Sequence, residues 1–136
     1  MIYYQSNAVL TPNQLDTLYS SVGYTTYTED LDKLTRALTK SLIVITAWHN
    51  TTPVGLIRAV GDGETILYIQ DILVHPSNQN KGIGTQLLTD VLDAYPDVEQ
   101  LVLLTGKTLA LSNFYDSLGF TPFDNGGESI TLYQLN

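Results

Sequence analysis

Ile72-Leu73-Val74-His75-Pro76-Ser77-Asn78-Gln79-Asn80-Lys81-Gly82-Ile83-Gly84-Thr85 is the stretch on which the fold turns. Its aliphatic start closes a strand, His75-Pro76 stops it, and a polar loop follows. Gly82-Ile83-Gly84 then opens a helix whose Leu87, Leu88, Val91 and Leu92 keep helical spacing to about Ala94. A helix N-terminus leaves backbone N–H groups unpaired and partly positive, so the turn is suited to an anion. Glycine lets the backbone approach a phosphate where a Cβ would collide, and Lys81 adds a nearby cation. The segment reads as a pyrophosphate cradle built on residues 80–85. Gly-X-Gly taken alone is more often a glycine-eased turn before a surface helix. Two other phosphate motifs fail. The dinucleotide fingerprint requires glycine where Leu87 stands, and the P-loop suggested by Gly106-Lys107-Thr108 requires glycine where Leu101 stands.

Working outward, Met1 to Gln5 reads as a short strand, and Thr11-Pro12 as an N-cap with proline at the first helical position. Leu15, Leu18, Tyr19 and Val22 carry that helix to Gly23. A second helix is expected from near Thr28, with Glu29 and Asp30 at its positive end and Leu31, Leu34 and Leu38 as its stripe. Leu42–His49, Val54–Val60 and Thr65–Val74, joined by short turns, form an antiparallel meander. Leu101–Thr105 is apolar throughout, as in a strand covered on both faces. A helix near Leu109–Leu118 ends at Gly119, and two terminal strands join around Asn125-Gly126-Gly127. The order specifies an α/β (α+β) protein with a mixed sheet.

The chain of 136 residues, with no linker or repeat, reads as a single domain over 1–136. It has no cysteine, which excludes disulfides, thiolate metal sites and a cysteine nucleophile, and its two isolated histidines offer no metal-ligand spacing. Fourteen acids against six scattered bases give −8, so a basic stripe for nucleic acid or an anionic membrane is lacking, and the field favours cationic partners such as protonated amines. The longest apolar run, Leu42 to Trp48 and broken by Thr46, is far below the ~20 residues of a membrane span. With no basic-then-apolar start after Met1, a cytoplasmic location is expected.

Gln79-X-X-Gly82-X-Gly84 after Leu73-Val74-His75-Pro76, together with Asn113-Phe114-Tyr115-Asp116-Ser117-Leu118-Gly119-Phe120, resembles the two signature elements of the GNAT superfamily of N-acetyltransferases. The element order matches over essentially the whole chain. The resemblance implies a mostly antiparallel mixed sheet of about seven strands flanked by about four helices. It also implies acetyl-CoA as co-substrate, no metal, and direct attack of a primary amine, small or protein-borne, on the thioester. A homodimer is compatible with it.

Carried over residue by residue, Gln79, Asn80, Lys81, Gly82, Ile83, Gly84 and Thr85 would hold the diphosphate. The N–H of Ile72 or Leu73 would polarise the acetyl carbonyl, and Val74, with Thr108 and Asn113, would hold the pantetheine arm. Tyr115 would protonate the departing thiolate, an assignment that competes with a plain core aromatic. Tyr68 and Gln70 occupy the positions where relatives often carry the basic carboxylate. Asp71 is the nearest one. Strict alternation places it with Ile69 and Leu73 on the other face, and a bulge would redirect it. Asp71 as base, Asp71 satisfying amides around a bulge, and deprotonation through water remain three open readings. Tyr24, Trp48, Tyr68 and Gln70 are the candidates for the acceptor pocket. A second function fits the missing carboxylate at 68 and 70: an acyl-CoA sensor with weak or no catalysis.

Overall fold

The computed structural model describes residues 1–106, 116–117, 119–122 and 130–135. The chain runs β1 (Ile2–Ser6), α1 (Pro12–Ser21), α2 (Thr25–Thr28), α3 (Leu31–Thr39), β2 (Ile43–His49), β3 (Thr52–Gly61), β4 (Ile66–Val74), a 3-10 turn at Pro76–Asn78, α4 (Ile83–Ala94), β5 (Gln100–Gly106), β6 (Phe120–Pro122) and β7 (Ile130–Leu135). The expected helix near Leu109–Leu118 falls outside the described residues except for 116 and 117, which are helical. One sheet of seven strands, in the order β1-β2-β3-β4-β5-β7-β6, carries the fold. All neighbours are antiparallel except β4 and β5, which run parallel, as a strand–helix–strand crossover through α4 requires. The sheet is the mixed, mostly antiparallel one expected.

Local chemistry sets the first helix. Thr11 and Gln14 form a reciprocal capping box with Pro12 in the first turn, and Gly23 at φ +84° takes the left-handed position that ends α1. The second helix departs from the sequence reading. Instead of starting near Thr28, the chain makes a single turn (α2) and starts again at Leu31. The carboxylate of Asp30 caps this new start by accepting from the N–H of Lys33.

The sheet is covered on both faces. Against α4 lies an apolar cluster that includes Ile45, Ile57, Leu67, Ile69, Ile83, Leu87, Leu88 and Leu103. Against α1 and α3 lies a second cluster with Leu15, Leu18, Tyr19, Leu34, Val44, Trp48, Leu56 and Leu73. β4 contributes to both, and its alternation is broken once. Arg58 pairs with Asp71 but Ala59 pairs with Ile69, which leaves Gln70 as an extra residue. Of the two courses open to this strand, strict alternation or a bulge near Asp71, the structure takes the bulge. It puts Ile69 on the α4 face and Asp71 with Leu73 on the α1–α3 face.

Candidate active site

The loop after β4 is braced by its own chemistry. The imidazole Nδ1 of His75 accepts from the N–H of Ser77 at 3.2 Å, and the His75 carbonyl accepts from the N–H of Asn78 at 2.8 Å. Asn80 (φ +63°) and Gly82 (φ +81°) both take the left-handed region, turning the chain sharply into α4. Gly82 is the N-cap and offers no side-chain cap. The first helical bond runs from the N–H of Gln86 to the Gly82 carbonyl, so the N–H groups of Ile83, Gly84 and Thr85 have no partner within the helix. Gln79, Asn80, Lys81, Gly82 and Thr85 are exposed around this end. Three adjoining amides with the helix dipole behind them can hold a phosphate without rearranging.

Beside this turn the sheet opens. β4 and β5 pair from Ile66↔Gln100 to Ile69↔Leu103 and no further, although both strands continue. The bulge at Gln70 begins where the pairing ends. The N–H of His75 donates to Val54 on β3, so alternation turns the backbone groups of Leu73 toward β3 and those of Ile72 and Val74 toward the gap. Consistent with this, the Val74 carbonyl accepts the side-chain amide of Gln79 at 3.0 Å. Of the two residues considered as donors, Ile72 faces the opening and Leu73 does not.

The α1–α3 side of the bulge holds a polar group. Asp71 is 3% exposed and Arg58 6%. The Nε of Arg58 donates to Oδ2 of Asp71 at 2.7 Å, and the Tyr19 hydroxyl donates to the same oxygen at 3.0 Å. Tyr27, on α2, accepts from Nη2 of Arg58 at 3.2 Å and from the Gln70 amide at 3.1 Å. Burial first, then the neighbouring Asp71 carboxylate, pushes the Tyr19 phenol far up, so it remains a donor. Burial pulls Arg58 down, but Asp71 outweighs it and leaves the guanidinium above its usual value.

Tyr24 packs edge-on against Tyr27 with ring centres 6.1 Å apart. Its phenol is raised by burial, then by Asp71 and Tyr27, while that of Tyr68 is raised by burial, then by Tyr27 and Asp71. Tyr24, Tyr68 and Gln70 thus gather around Tyr27. Trp48 stands apart. It is 8% exposed in the second core cluster, stacks on Tyr3 at 6.3 Å, and donates its indole N–H to Thr46. Along β2 it lies at the end away from Val44, the register partner of Arg58.

Thr108, Asn113 and Tyr115 lie outside the described residues. Sequence reading missed Tyr19, Arg58 and Tyr27. A lone arginine in the otherwise uncharged Val54–Val60 run, opposite a lone aspartate in Thr65–Val74, was the available signal. Among the described residues no cluster of three metal-ligating side chains occurs. A separate cavity of about 360 Å³ opens between Asn7–Leu10, the end of α3 and the start of β2, at the end of the sheet away from the loop.

The model of the acetyltransferase (GNAT) domain matches residues 40–122. A GNAT-family acetyltransferase structure from Streptococcus pneumoniae TIGR4 superposes with a TM-score of 0.81 at 33% identity, covering 94% of this chain and 96% of that one. The structure of PaiA N-acetyltransferase from Thermoplasma acidophilum in complex with coenzyme A has a TM-score of 0.77 at 16% identity, covering 100% and 99% of the two chains, and so shares the fold. The uncharacterized N-acetyltransferase ycf52 of Gracilaria tenuistipitata var. liui is 25% identical over 98% of this chain and 75% of its own length. With the domain model matching more than half of this chain and a solved member aligned nearly end to end, this chain belongs to the GNAT acetyltransferase family.

Proposed function

We propose that this protein is an N-acetyltransferase that moves the acetyl group of acetyl-CoA to a primary amine by direct attack, with no acyl-enzyme. The observation that carries the reading is the parting of β4 from β5 after Ile69↔Leu103 beside the uncapped start of α4. A long ligand with a diphosphate in its middle fits that pair of features. The N–H groups of residues 83–85 take the charged part, and the backbone of Ile72 and Val74 that faces the gap takes the amide-bearing arm, the Val74 carbonyl exchanging its Gln79 partner for the ligand. Bound there, acetyl-CoA supplies a thioester carbonyl whose carbon is open to an amine. The Ile72 N–H serves as a fixed donor to the oxygen on which charge develops, an effect of a few kcal/mol at similar sites. The amine gives up its protons to water, and the hydroxyl of Tyr115, taken from the family resemblance, protonates the leaving thiolate and is itself reprotonated from that water. Tyr24, Tyr27, Tyr68 and Gln70 form the wall from which the amine arrives. The acceptor is a small amine or a protein amine, favoured as a cation by the net charge of −8. A cytoplasmic site of action fits a chain in which, among the described residues, no helix is long and apolar enough to cross a membrane.

One observation favours a second reading, the acyl-CoA sensor: Tyr68 and Gln70 stand where a basic carboxylate is common, and Asp71 is engaged by Arg58 and Tyr19. Thiol release from acetyl-CoA across an amine panel, read beside calorimetric titration with coenzyme A, separates the two. Turnover with any amine supports the enzyme, tight binding without turnover supports the sensor, and absence of binding removes both.

A further inference from the structure

We infer that the buried Arg58–Asp71 pair, secured by Tyr19, is the pin that fixes the β4 bulge and so holds β4 away from β5; Asp71 is a positioning residue, not the proton acceptor. The inference rests on the proposed acetyl transfer only for its catalytic consequence, since the geometry stands by itself.

Three observations converge on it. Arg58 and Asp71 are register partners on neighbouring strands, and Arg58 is the last residue of β3 before the pairing slips by one. The slip leaves Gln70 unpaired directly after Ile69, the last residue of β4 paired to β5. Both charged side chains are buried, and the carboxylate takes its two bonds from Arg58 and Tyr19 on the α1–α3 face.

Without the extra residue, the period of two would carry Asp71 to the face of Ile69. There it would meet the apolar cluster under α4, where no described residue offers a cation. A carboxylate is excluded from such a place, so its pairing with Arg58 selects the bulged register over the regular one. Bulges bend a strand and increase its twist, which is what a strand leaving its parallel neighbour requires. The pair is also poorly suited to a purely stabilising role. Apolar replacements of a buried ion pair are often neutral or better, so its value lies in specifying an arrangement. The carboxylate is 3% exposed, and its Oδ2 is already occupied by the guanidinium and the phenol, so an amine has no open approach to that oxygen.

The test compares the full-length wild type with Arg58→Met/Asp71→Leu, Arg58→Lys, Tyr19→Phe and Asp71→Asn. In crystal structures, the Arg58→Met/Asp71→Leu chain is expected to lose the bulge at Gln70 or to extend β4–β5 pairing beyond Ile69↔Leu103. An unchanged bulge and gap overturn the inference. If that chain does not fold, backbone amide exchange at Gln70–Leu73 in Arg58→Lys and Tyr19→Phe decides instead: faster or re-patterned exchange supports the pin, and wild-type exchange overturns it.

In kinetics, Arg58→Lys keeps the Asp71 carboxylate but cannot reproduce the Nε contact. Its kcat is expected to drop by about 100-fold, as misplacement by an ångström can cost, with KM for acetyl-CoA changed far less and the pH–rate midpoints kept. A base role for Asp71 predicts the opposite split. Asp71→Asn would then abolish the acidic limb of the pH–rate profile while Arg58→Lys keeps wild-type kcat, and that result would falsify the positioning role. A wild type that neither binds coenzyme A nor releases thiol removes the proposed function, and the structural comparison still decides the pin.

Discussion

The two faces of the sheet solve the same packing problem with different materials. The α4 face is apolar throughout, from Ile43 and Ile57 to Leu87 and Leu103. The three buried polar or charged side chains among the described residues, Thr46, Arg58 and Asp71, all belong to the α1–α3 face. The apolar face anchors α4 and therefore the amides at its N-terminus. The mixed face holds the bulge and the tyrosines beside the gap. Polar groups are buried where the strand must be irregular, and excluded where a helix must stay put.

The sharpest way to break this contrast is to remove one charge only. Arg58→Met leaves Asp71 as an unpaired buried carboxylate and should cost about 4 kcal/mol in urea unfolding, whereas the paired Arg58→Met/Asp71→Leu change should cost much less. If the single and double variants lose equal stability, the pair contributes through packing and the contrast between the faces fails. The next largest effect belongs to the apolar face. Leu87, fully buried on α4, when changed to Ala should cost about 3 kcal/mol through lost transfer energy and the cavity left behind. That loss should come without any change in the β4 bulge, which amide exchange at Gln70 would report.

How much of this was legible in the sequence follows from how local each determinant is. Thr11-Pro12, Gly23 and Gly82 act on their own helices, and their readings hold in the structure. The restart at Leu31 was missed because Asp30 was read as a helical acid complementing the dipole; its side chain instead caps Lys33. The existence of a bulge near Asp71 was readable as an alternative, since the alternation in β4 conflicted with a charged residue. Its position and partner were not. They depend on Arg58, thirteen residues away across a hairpin, and on Tyr19, one of nine tyrosines, whose role only the packing of α1 reveals. Tyr27 was missed for the same reason.

Thr46→Val is a smaller and cleaner probe of the mixed face. Thr46 is fully buried and its hydroxyl accepts the Trp48 indole N–H at 2.7 Å. Valine keeps the volume and removes the acceptor, so the indole is left unpaired at a cost of about 1.5 kcal/mol. Stability equal to wild type would mean that the indole finds another partner or water, and that polar satisfaction on this face is less strict than its geometry indicates.

The smallest effect comes from a carboxylate at the opposite end of the same hairpin. Asp62, in the β3–β4 turn, is exposed, yet Oδ1 accepts from the N–H groups of Glu64, Thr65 and Ile66, and Oδ2 from the Thr65 hydroxyl. Those bonds, the Ile66 amide first, hold its carboxyl well below the ordinary range. The folded value is depressed, so the stabilisation is complete above the unfolded value of about 4 and is lost as pH falls below it toward the folded value. Asp62→Asn should therefore lower the urea midpoint modestly at neutral pH and flatten its acid limb, the two profiles converging as pH falls toward the folded value. Asp71, whose anion is held by a buried cation and a phenol, differs from Asp62 in what its loss does at neutral pH: removing it strands Arg58, and removing the Asp62 charge strands nothing. Parallel acid limbs for wild type and Asp62→Asn would show that the turn's amides are satisfied as well by a neutral amide, and that burial alone separates the two aspartates.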